Sequence, residues 1–150
     1  MSEPTYRQAT PADAEAIAKV GAAIWDELGA ESGLLGRITA DGVRSRMDEL
    51  GARGAFFLCD SDGACGFASV QPDVSHPHDA VLGVWLLAEA RGHGHGRELA
   101  VAGTEFAKDA GYKRLRGIIP EGNEPALSFF GDFGSIAQIV GQGMEYELPL

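Results

Sequence analysis

Apolar positions recur along the 150-residue chain with two different spacings, and the spacing predicts which segments form strands and which form helices. Short apolar runs bounded by turn residues are typical of strands, whereas apolar residues three and four positions apart are typical of helices that bury one face. The run at residues 81–87 is apolar at nearly every position, so we expect a central strand covered on both faces. The predicted strands span residues 6–8, 55–59, 64–70, 81–87, 115–119, 136–140 and 144–148.

Four segments carry the features of helices. Thr10 and Thr39 are placed to cap the first two, because a threonine hydroxyl can accept a hydrogen bond from a backbone N–H in the first helical turn. The third helix follows a glycine-rich loop and ends at Gly111, and a short fourth helix begins at Pro125. The apolar positions at helical spacing are Ile17, Val20, Ile24 and Leu28, then Val43, Met47 and Leu50, then Leu99, Ala102, Phe106 and Ala110.

The order of these elements is β-α-α-β-β-β-α-β-α-β-β. A run of strands in the middle, with helices before and after it, predicts an α+β fold with a mixed sheet rather than a doubly wound α/β fold. The length and the 45% share of hydrophobic residues are sufficient for one packed core. Because the sequence contains no internal repeat and no linker, residues 1–150 are predicted to form a single domain.

Charge is distributed unevenly along the chain. The formal net charge is −10, yet residues 91–116 hold six of the twelve Lys and Arg residues and only three acidic ones, so this window is +3 and the rest of the chain is −13. The acidic balance disfavours nucleic acid as a partner, and no run is long enough to span a membrane. The basic window suits a polyanionic small molecule.

The two cysteines, Cys59 and Cys65, flank a predicted turn at residues 60–63. The first residues of the chain are acidic and carry no apolar stretch of the kind found in signal peptides, so we expect a cytoplasmic protein. In that reducing compartment both cysteines are expected to be buried thiols, with a cross-strand disulfide or a reactive thiol as the alternatives.

The glycine-rich loop at residues 91–97 has the clearest functional implication. It lies between the strand at 81–87 and the third helix, and its three alternating glycines allow a ligand to approach the backbone closely. Unpaired N–H groups at the start of a helix attract anions, so the loop is predicted to bind a phosphate or pyrophosphate. The glycine spacing matches neither the dinucleotide fingerprint G-x-G-x-x-G nor the P-loop G-x-x-x-x-G-K-[ST].

Two histidines, His93 and His95, alternate with these glycines and raise the question of a zinc site. Zinc needs three or four ligands, and no further Cys, His or Asp lies nearby at a ligand spacing in the sequence. Side chains between the glycines of a phosphate-binding loop are also expected to point to solvent. We therefore expect no metal ion here.

Four segments resemble the GNAT family of N-acetyltransferases. Arg91-x-x-Gly94-x-Gly96 matches the R-x-x-G-x-G loop that binds the pyrophosphate of acyl-CoA in that family. The resemblance extends to the element order of the whole chain. It implies a mixed, mostly antiparallel, splayed central sheet flanked by helices, and acetyl-CoA or another acyl-CoA as co-substrate without a metal. The other three segments are residues 6–13 (opening strand and helix cap), 86–92 (entry to the loop) and 123–130 (the late N-x-x-A helix).

The resemblance also implies which residues contact the co-substrate. Backbone N–H groups from Gly92 to Arg97 would bind the pyrophosphate, and backbone groups of residues 86–88 would pair with the pantetheine arm like an added strand. Asn123 would face the pantetheine end of the co-substrate from the late helix. The implied cofactor-binding residues are Leu86, Leu87, Ala88, Arg91, Gly92, His93, Gly94, His95, Gly96, Arg97, Asn123 and Phe130.

The implied reaction is direct attack of an amine on the thioester of acetyl-CoA. An alkyl amine has a pKa of about 10.4, so a general base is needed near neutral pH. Asp79, just before the strand at 81–87, is the first candidate, since some relatives carry a catalytic glutamate there. His78 and His76 are the next candidates, because histidine titrates near neutral pH. The alternative for Asp79 is a cap at the end of the preceding loop.

Phe130 occupies the position where many family members have a tyrosine that protonates the departing thiolate. Phenylalanine cannot donate a proton, so water, Ser128 or Tyr146 would take this role, or the thiolate would leave unprotonated. This departure from the family pattern keeps an alternative function open, namely a non-catalytic module that binds acyl-CoA as a sensor or serves as an interaction partner.

The end of the first helix indicates the charge of the acceptor. An acidic group with one aromatic ring lies there, formed by Trp25, Asp26, Glu27 and Glu31. Such a group would suit a cationic acceptor, which is either a small-molecule amine, such as a polyamine or an aminoglycoside-like compound, or the amine of a basic peptide. The alternative is an ordinary solvated helix end. A homodimer is among the assemblies that the resemblance implies, because dimers are common in the family.

Overall fold

A computed structural model describes residues 3–34, 36–119, 136–140 and 143–150, with the side chains of residues 3–34, 36–116 and 147–150. The seven predicted strands and the first three predicted helices are confirmed, with boundaries shifted by about two residues. The fourth predicted helix lies outside the described residues. The strands are β1 (Thr5–Gln8), β2 (Ala55–Asp60), β3 (Ala64–Pro72), β4 (Asp79–Leu86), β5 (Arg114–Ile119), β6 (Ile136–Val140) and β7 (Gly143–Pro149), and the helices are α1 (Ala14–Leu28), α2 (Ala40–Leu50) and α3 (His95–Asp109).

The two predicted caps act in different ways. The hydroxyl of Thr39 accepts a hydrogen bond of 3.1 Å from the N–H three residues further on and so caps α2 as predicted. Thr10 instead precedes a short 3₁₀ turn that leads into α1. There the carboxylate of Asp13 accepts the Thr10 N–H at 2.9 Å and pairs with Arg7, and these bonds hold the pKa of Asp13 well below its usual range.

All seven strands belong to one sheet, in the order β1-β2-β3-β4-β5-β7-β6. The β4–β5 pair is parallel, and every other neighbouring pair is antiparallel. The predicted α+β class with a mixed, mostly antiparallel sheet is confirmed. No helix among the described residues combines the length and the apolar character that crossing a membrane requires.

Each face of the sheet carries its own apolar core. On one face α3 packs on the central strands, with Leu99 among the buried residues and Leu82 below it. On the other face α1 and α2 cover a cluster that includes Ile17 and Phe67. The helix α3 lies very close to the sheet, because a Cβ atom at Gly103 would stand only 2.8 Å from the side chain of Leu82.

The prediction of a central β4 covered on both faces is confirmed in part: β4 is the middle one of seven strands, Val84 and Leu86 pack against the core under α3, and Trp85 packs against the core under α1. Val81 is 37% exposed, and residues 83–86 are only partly buried. The pairing of β4 with β5 is short and runs only from Asp79↔Arg114 to Val81↔Arg116. Beyond that point the described parts of the two strands no longer pair, which confirms the splayed sheet, and we call the space beside the second half of β4, on the side of β5, the cleft.

Candidate functional site

The second half of β4 presents a backbone edge to this cleft. In an antiparallel ladder, the N–H and C=O groups of alternate residues point to the same side. The N–H of Leu87 donates to the carbonyl of Cys65 at 2.9 Å, and the β3–β4 register is unbroken before it, so the odd-numbered residues face β3. Val84 and Leu86 therefore turn their N–H and C=O groups toward the cleft.

This alternation changes which residues are suited to pair with an extended ligand. Of the three predicted residues, Leu87 uses its N–H in the sheet, and Ala88 enters a 3₁₀ turn in which its carbonyl accepts the N–H of Arg91. Leu86 keeps an N–H on the cleft side. Val84 was missed, although the two-residue period of a strand could have identified it from the sequence.

The glycine-rich loop turns the end of β4 into α3 through two left-handed residues. Gly92 has φ +80°, and Gly94, the residue that precedes α3, has φ +87°. Only glycine adopts these angles without strain. The turn directs the first N–H groups of a 15-residue helix, from Gly94 to Gly96, out of the loop, where they lack an acceptor in their own helix. This is the geometry of a phosphate site.

The side chain of Arg91 binds both to α1 and to the end of β4. Its guanidinium donates two hydrogen bonds, of 2.7 and 2.8 Å, to the carboxylate of Glu27 at the end of α1, and one of 2.9 Å to the carbonyl of Leu86. The hydrogen bonds and positive charge of Arg91 lower the pKa of Glu27 against the opposing effect of burial. Arg91 thus fastens the loop to α1 and to the end of β4.

This anchor predicts a moderate effect of Glu27→Gln on acetyl-CoA affinity. The pair is more than one-third exposed, so the lost interaction is screened and is worth about 1 kcal/mol, which is about a fivefold rise in Kd. Asp26→Asn is the matched control, because Asp26 pairs with Arg37 rather than with the loop. Calorimetric titration measures both. Equal Kd values for the two variants would contradict an anchoring role.

A packed aromatic pair holds the second half of β4 against the α1 side of the sheet. Trp85 stacks on Phe67 with ring centroids 5.0 Å apart, and its Nε1–H donates to the carbonyl of Ser32 at 2.8 Å. The indole lies so close to Gly83 that a Cβ atom there would come within 2.1 Å of the ring. These contacts fix the strand whose edge faces the cleft.

Asp79 lies at the far end of β4 in a buried ion pair. The residue is 3% exposed, and its carboxylate accepts a hydrogen bond of 2.5 Å from Nε of Arg116, whose Nη2 pairs with Glu147 at 2.6 Å. Along the strand it is roughly 23 Å from Leu86. This network of three charged side chains joins β4, β5 and β7 near the last residue pair between β4 and β5. His78 is exposed, and its carbonyl accepts the N–H of Lys113.

The expectation that both loop histidines point to solvent is wrong for His95. His93 is exposed, but His95 is only 9% exposed, and its Nδ1 lies 2.8 Å from the hydroxyl of Tyr6. The first turn of α3 packs against the sheet, so its first side chain is directed inward. The side chain of His95 faces inward, so it is the backbone N–H of His95 that can bind a ligand in the loop. The side chains of His93 and Arg97 are exposed.

The predicted acidic group at the end of α1 is largely engaged in ion pairs. Asp26 pairs with Arg37, and Glu27 pairs with Arg91. The group therefore offers a cationic acceptor less free negative charge than the sequence implied. Sequence spacing could not reveal this, because the pairing arginines lie 11 and 64 positions away.

Several predicted residues cannot be placed in the site. Asn123, Ser128 and Phe130 lie outside the described residues. For Tyr146 the backbone position in β7, opposite Gly117 of β5, is described. The roles of these four residues stay predictions.

Comparisons with known proteins agree with this geometry. The sequence model of the Acetyltransferase (GNAT) family matches residues 22–134. A curated relative, aminoglycoside N(6')-acetyltransferase type 1 of Stenotrophomonas maltophilia, is 34% identical over 123 residues, which cover 76% of this chain and 74% of the relative.

Solved structures share the fold at lower sequence identity. YncA of Salmonella typhimurium, solved with its cofactor acetyl-CoA, superposes with a TM-score of 0.85 at 18% identity over 99% of this chain and 95% of its own. The PaiA N-acetyltransferase of Thermoplasma acidophilum, solved with coenzyme A, gives 0.83 at 16% identity over 99% and 100% of the two chains. A phosphinothricin acetyltransferase of Sinorhizobium meliloti, in complex with acetyl-CoA, gives 0.84 at 16% identity over 99% and 89%.

Proposed function

The chain belongs to the acetyltransferase (GNAT) family, and we propose that its acceptor is a primary amine of an aminoglycoside-like small molecule. Its activity is transfer of an acetyl group from acetyl-CoA to an amine, and the transfer needs no metal ion. The acceptor class rests on the named relative, and the observation that carries the placement of acetyl-CoA is the β4 edge that the described strands leave unpaired and that leads into the N-terminus of α3. We place the activity in the cytoplasm, where free thiols such as those of Cys59 and Cys65 persist.

We orient the co-substrate along this cleft, with its pyrophosphate at the glycine-rich loop. Its pyrophosphate would accept hydrogen bonds from the N–H groups of residues 94–96, where the helix dipole adds a favourable potential. The pantetheine arm carries amide groups and would pair with Val84 and Leu86 as an added strand. The thioester would then lie further along β4, toward the point where β4 and β5 meet.

The sheet itself can assist the reaction. Attack on the thioester carbonyl places negative charge on its oxygen, and a fixed backbone N–H on the cleft edge stabilises that charge without reorganisation. The N–H of Val84 has the required direction. The amine must lose a proton during the reaction, and we keep Asp79 and His78 as the candidates for that base.

The acceptor class rests on the named relative and on charge. The relative acts, by its name, on the 6' amine of aminoglycosides, which are cationic at neutral pH. The present chain carries a net charge of −10, so a polycation is attracted toward it at low ionic strength. Because Asp26 and Glu27 are paired, we assign the attraction to the acidic surface as a whole rather than to the end of α1.

Binding of the co-substrate is tested by calorimetric titration with acetyl-CoA, with ADP as the control. Micromolar acetyl-CoA affinity and weak ADP affinity are expected, because ADP has the pyrophosphate but lacks the pantetheine arm that would pair with β4. Equal affinities would mean that the loop alone binds and that the β4 edge does not contribute. Failure of acetyl-CoA to bind a folded chain would refute the proposed site.

The acceptor is tested with two aminoglycosides that differ only at the 6' carbon. Neomycin carries an amine there, and paromomycin carries a hydroxyl. We expect release of coenzyme A above the hydrolysis background with neomycin but not with paromomycin. Equal rates would place the reacting amine elsewhere on the molecule. Tight acetyl-CoA binding without turnover on any amine would instead favour the non-catalytic module.

The role of Asp79 is tested by Asp79→Asn. The substitution removes the charged hydrogen bond to Arg116, and we expect a loss of about 2 kcal/mol in the free energy of unfolding. With Asp79 as the base, we also expect a rate that is low at neutral pH and recovers at alkaline pH, whereas a pH–rate profile of unchanged shape would remove Asp79 from the mechanism. Glu147→Gln is the control, because it weakens the same ion-pair network from β7. Low activity of Asp79→Asn at neutral pH that recovers at alkaline pH, absent from the control, would establish Asp79 as the base.

A further inference from the structure

Two cysteines and a histidine meet behind the glycine-rich loop. Cys59 comes from β2, Cys65 from β3, and His95 is the first residue of α3. One ligand atom from each lies within 4.8 Å of the other two. The group is secluded, since Cys59 is fully buried, His95 nearly so and Cys65 partly.

An irregularity in the β2–β3 hairpin puts the two sulfur atoms on one face. The register shifts there, so that Cys59 pairs with Gly66 and Asp60 with Ala64, and Cys65 is the extra residue of a β-bulge. Without the bulge, Cys65 would share the sheet face of Phe67, two positions away, under α1. With it, Cys65 packs under α3 together with Cys59.

His95 is oriented by a second group. The hydroxyl of Tyr6, in β1, lies 2.8 Å from its Nδ1, and the two rings lie against each other with centroids 5.9 Å apart. A hydrogen bond to one ring nitrogen is a regular feature of histidines that ligate metal ions, because it fixes the orientation and protonation of the ring.

We propose that Cys59, Cys65 and His95 form a site for one thiophilic divalent cation, with Zn²⁺ as the best match. Two thiolates and one imidazole are a ligand set that zinc prefers, and water completes the tetrahedron. Each thiol gives up its proton to the solvent when the ion binds, and the two thiolates balance the charge of the ion. The buried group therefore carries no net charge.

The two sulfur atoms must move apart to bind one zinc ion. They lie 2.8 Å apart, whereas two sulfurs bound tetrahedrally to one zinc ion are about 3.8 Å apart for a Zn–S distance of about 2.3 Å. Rotation of the partly exposed Cys65 side chain can supply the difference of about 1 Å.

The ion would link three elements of the fold, and the site goes beyond the acetyl-transfer chemistry. By joining β2 and β3 to the first residue of α3, it would tie the phosphate-binding turn to the central sheet. The site was hidden from sequence reasoning because its three ligands come from segments up to 36 positions apart, at residues 59, 65 and 95.

The test is titration of the reduced, metal-free full-length chain with Co²⁺, followed by displacement with Zn²⁺ under anaerobic conditions. We expect one Co²⁺ per chain, with thiolate-to-cobalt charge-transfer absorption and the visible bands of a tetrahedral ion. Zn²⁺ affinity is then measured by competition with a chromophoric chelator. Replacement of a ligand by His95→Gln or Cys65→Ser should lower it at least about tenfold.

His93→Gln is the matched control, because His93 is two positions from His95 but exposed and outside the cluster. Circular dichroism checks that each variant folds, and the partly exposed Cys65 offers a milder substitution than Cys59. Absence of the charge-transfer band in wild type would overturn the proposal, as would an unchanged affinity in His95→Gln. So would a thiol titration that finds both cysteines already joined in a disulfide.

Discussion

Replacing Gly94 with valine is expected to raise the Kd for acetyl-CoA on the order of 100-fold. Gly94 has φ +87°, a left-handed conformation that costs a β-branched residue about 1–3 kcal/mol, so the turn would shift and misdirect the first N–H groups of α3. The protein itself leaves room for the side chain, since no atom lies within 4 Å of a Cβ built there. The added methyl groups would instead occupy the space of the pyrophosphate.

The control for this experiment is Gly111→Val at the other end of the same helix. Gly111 has φ +91° and equally open surroundings, so the backbone strain is similar while the glycine-rich turn before α3 is untouched. We expect the two variants to lose comparable stability and only Gly94→Val to lose affinity for acetyl-CoA. A folded Gly94→Val variant that binds acetyl-CoA normally would show that the glycine-rich loop is not the pyrophosphate site.

The largest expected loss of stability is that of Phe67→Ala, at about 3–5 kcal/mol. Phe67 is 1% exposed and is among the largest fully buried side chains of the described residues. Its removal leaves a cavity between β3 and α1 and takes away the ring on which Trp85 stacks. For a chain of this length the loss corresponds to a fall in Tm on the order of 10 °C.

Val74→Ala serves as the comparison for Phe67→Ala. Val74 is fully exposed in the connection between β3 and β4, so its truncation should change the free energy of unfolding by less than about 0.5 kcal/mol. Urea unfolding followed by tryptophan fluorescence measures both variants. A Phe67→Ala variant as stable as wild type would mean that α1 does not pack on the sheet as described.

Local signals in the sequence were sufficient for much of the fold. The strand periods and the apolar spacing of α1, α2 and α3 depend on residues close in the chain, so these elements could be predicted within about two residues. The glycine-rich loop is equally local, because a left-handed turn before a helix needs glycine at fixed positions. The splayed sheet was predicted only through the family resemblance, since no local pattern specifies where two strands diverge.

The sequence by itself therefore determined the seven strands, the first three helices, the α+β class, the glycine-rich turn before α3 and the family. Tertiary structure decided which groups meet: Arg116 pairs with Asp79, Arg91 with Glu27, and His95 turns inward to the two cysteines. These contacts join residues 6 to 64 positions apart, and a bulge of one residue decides the face of Cys65. Hydrophobic spacing fixes the position of an element in the chain, whereas side-chain partners depend on how the elements pack in space.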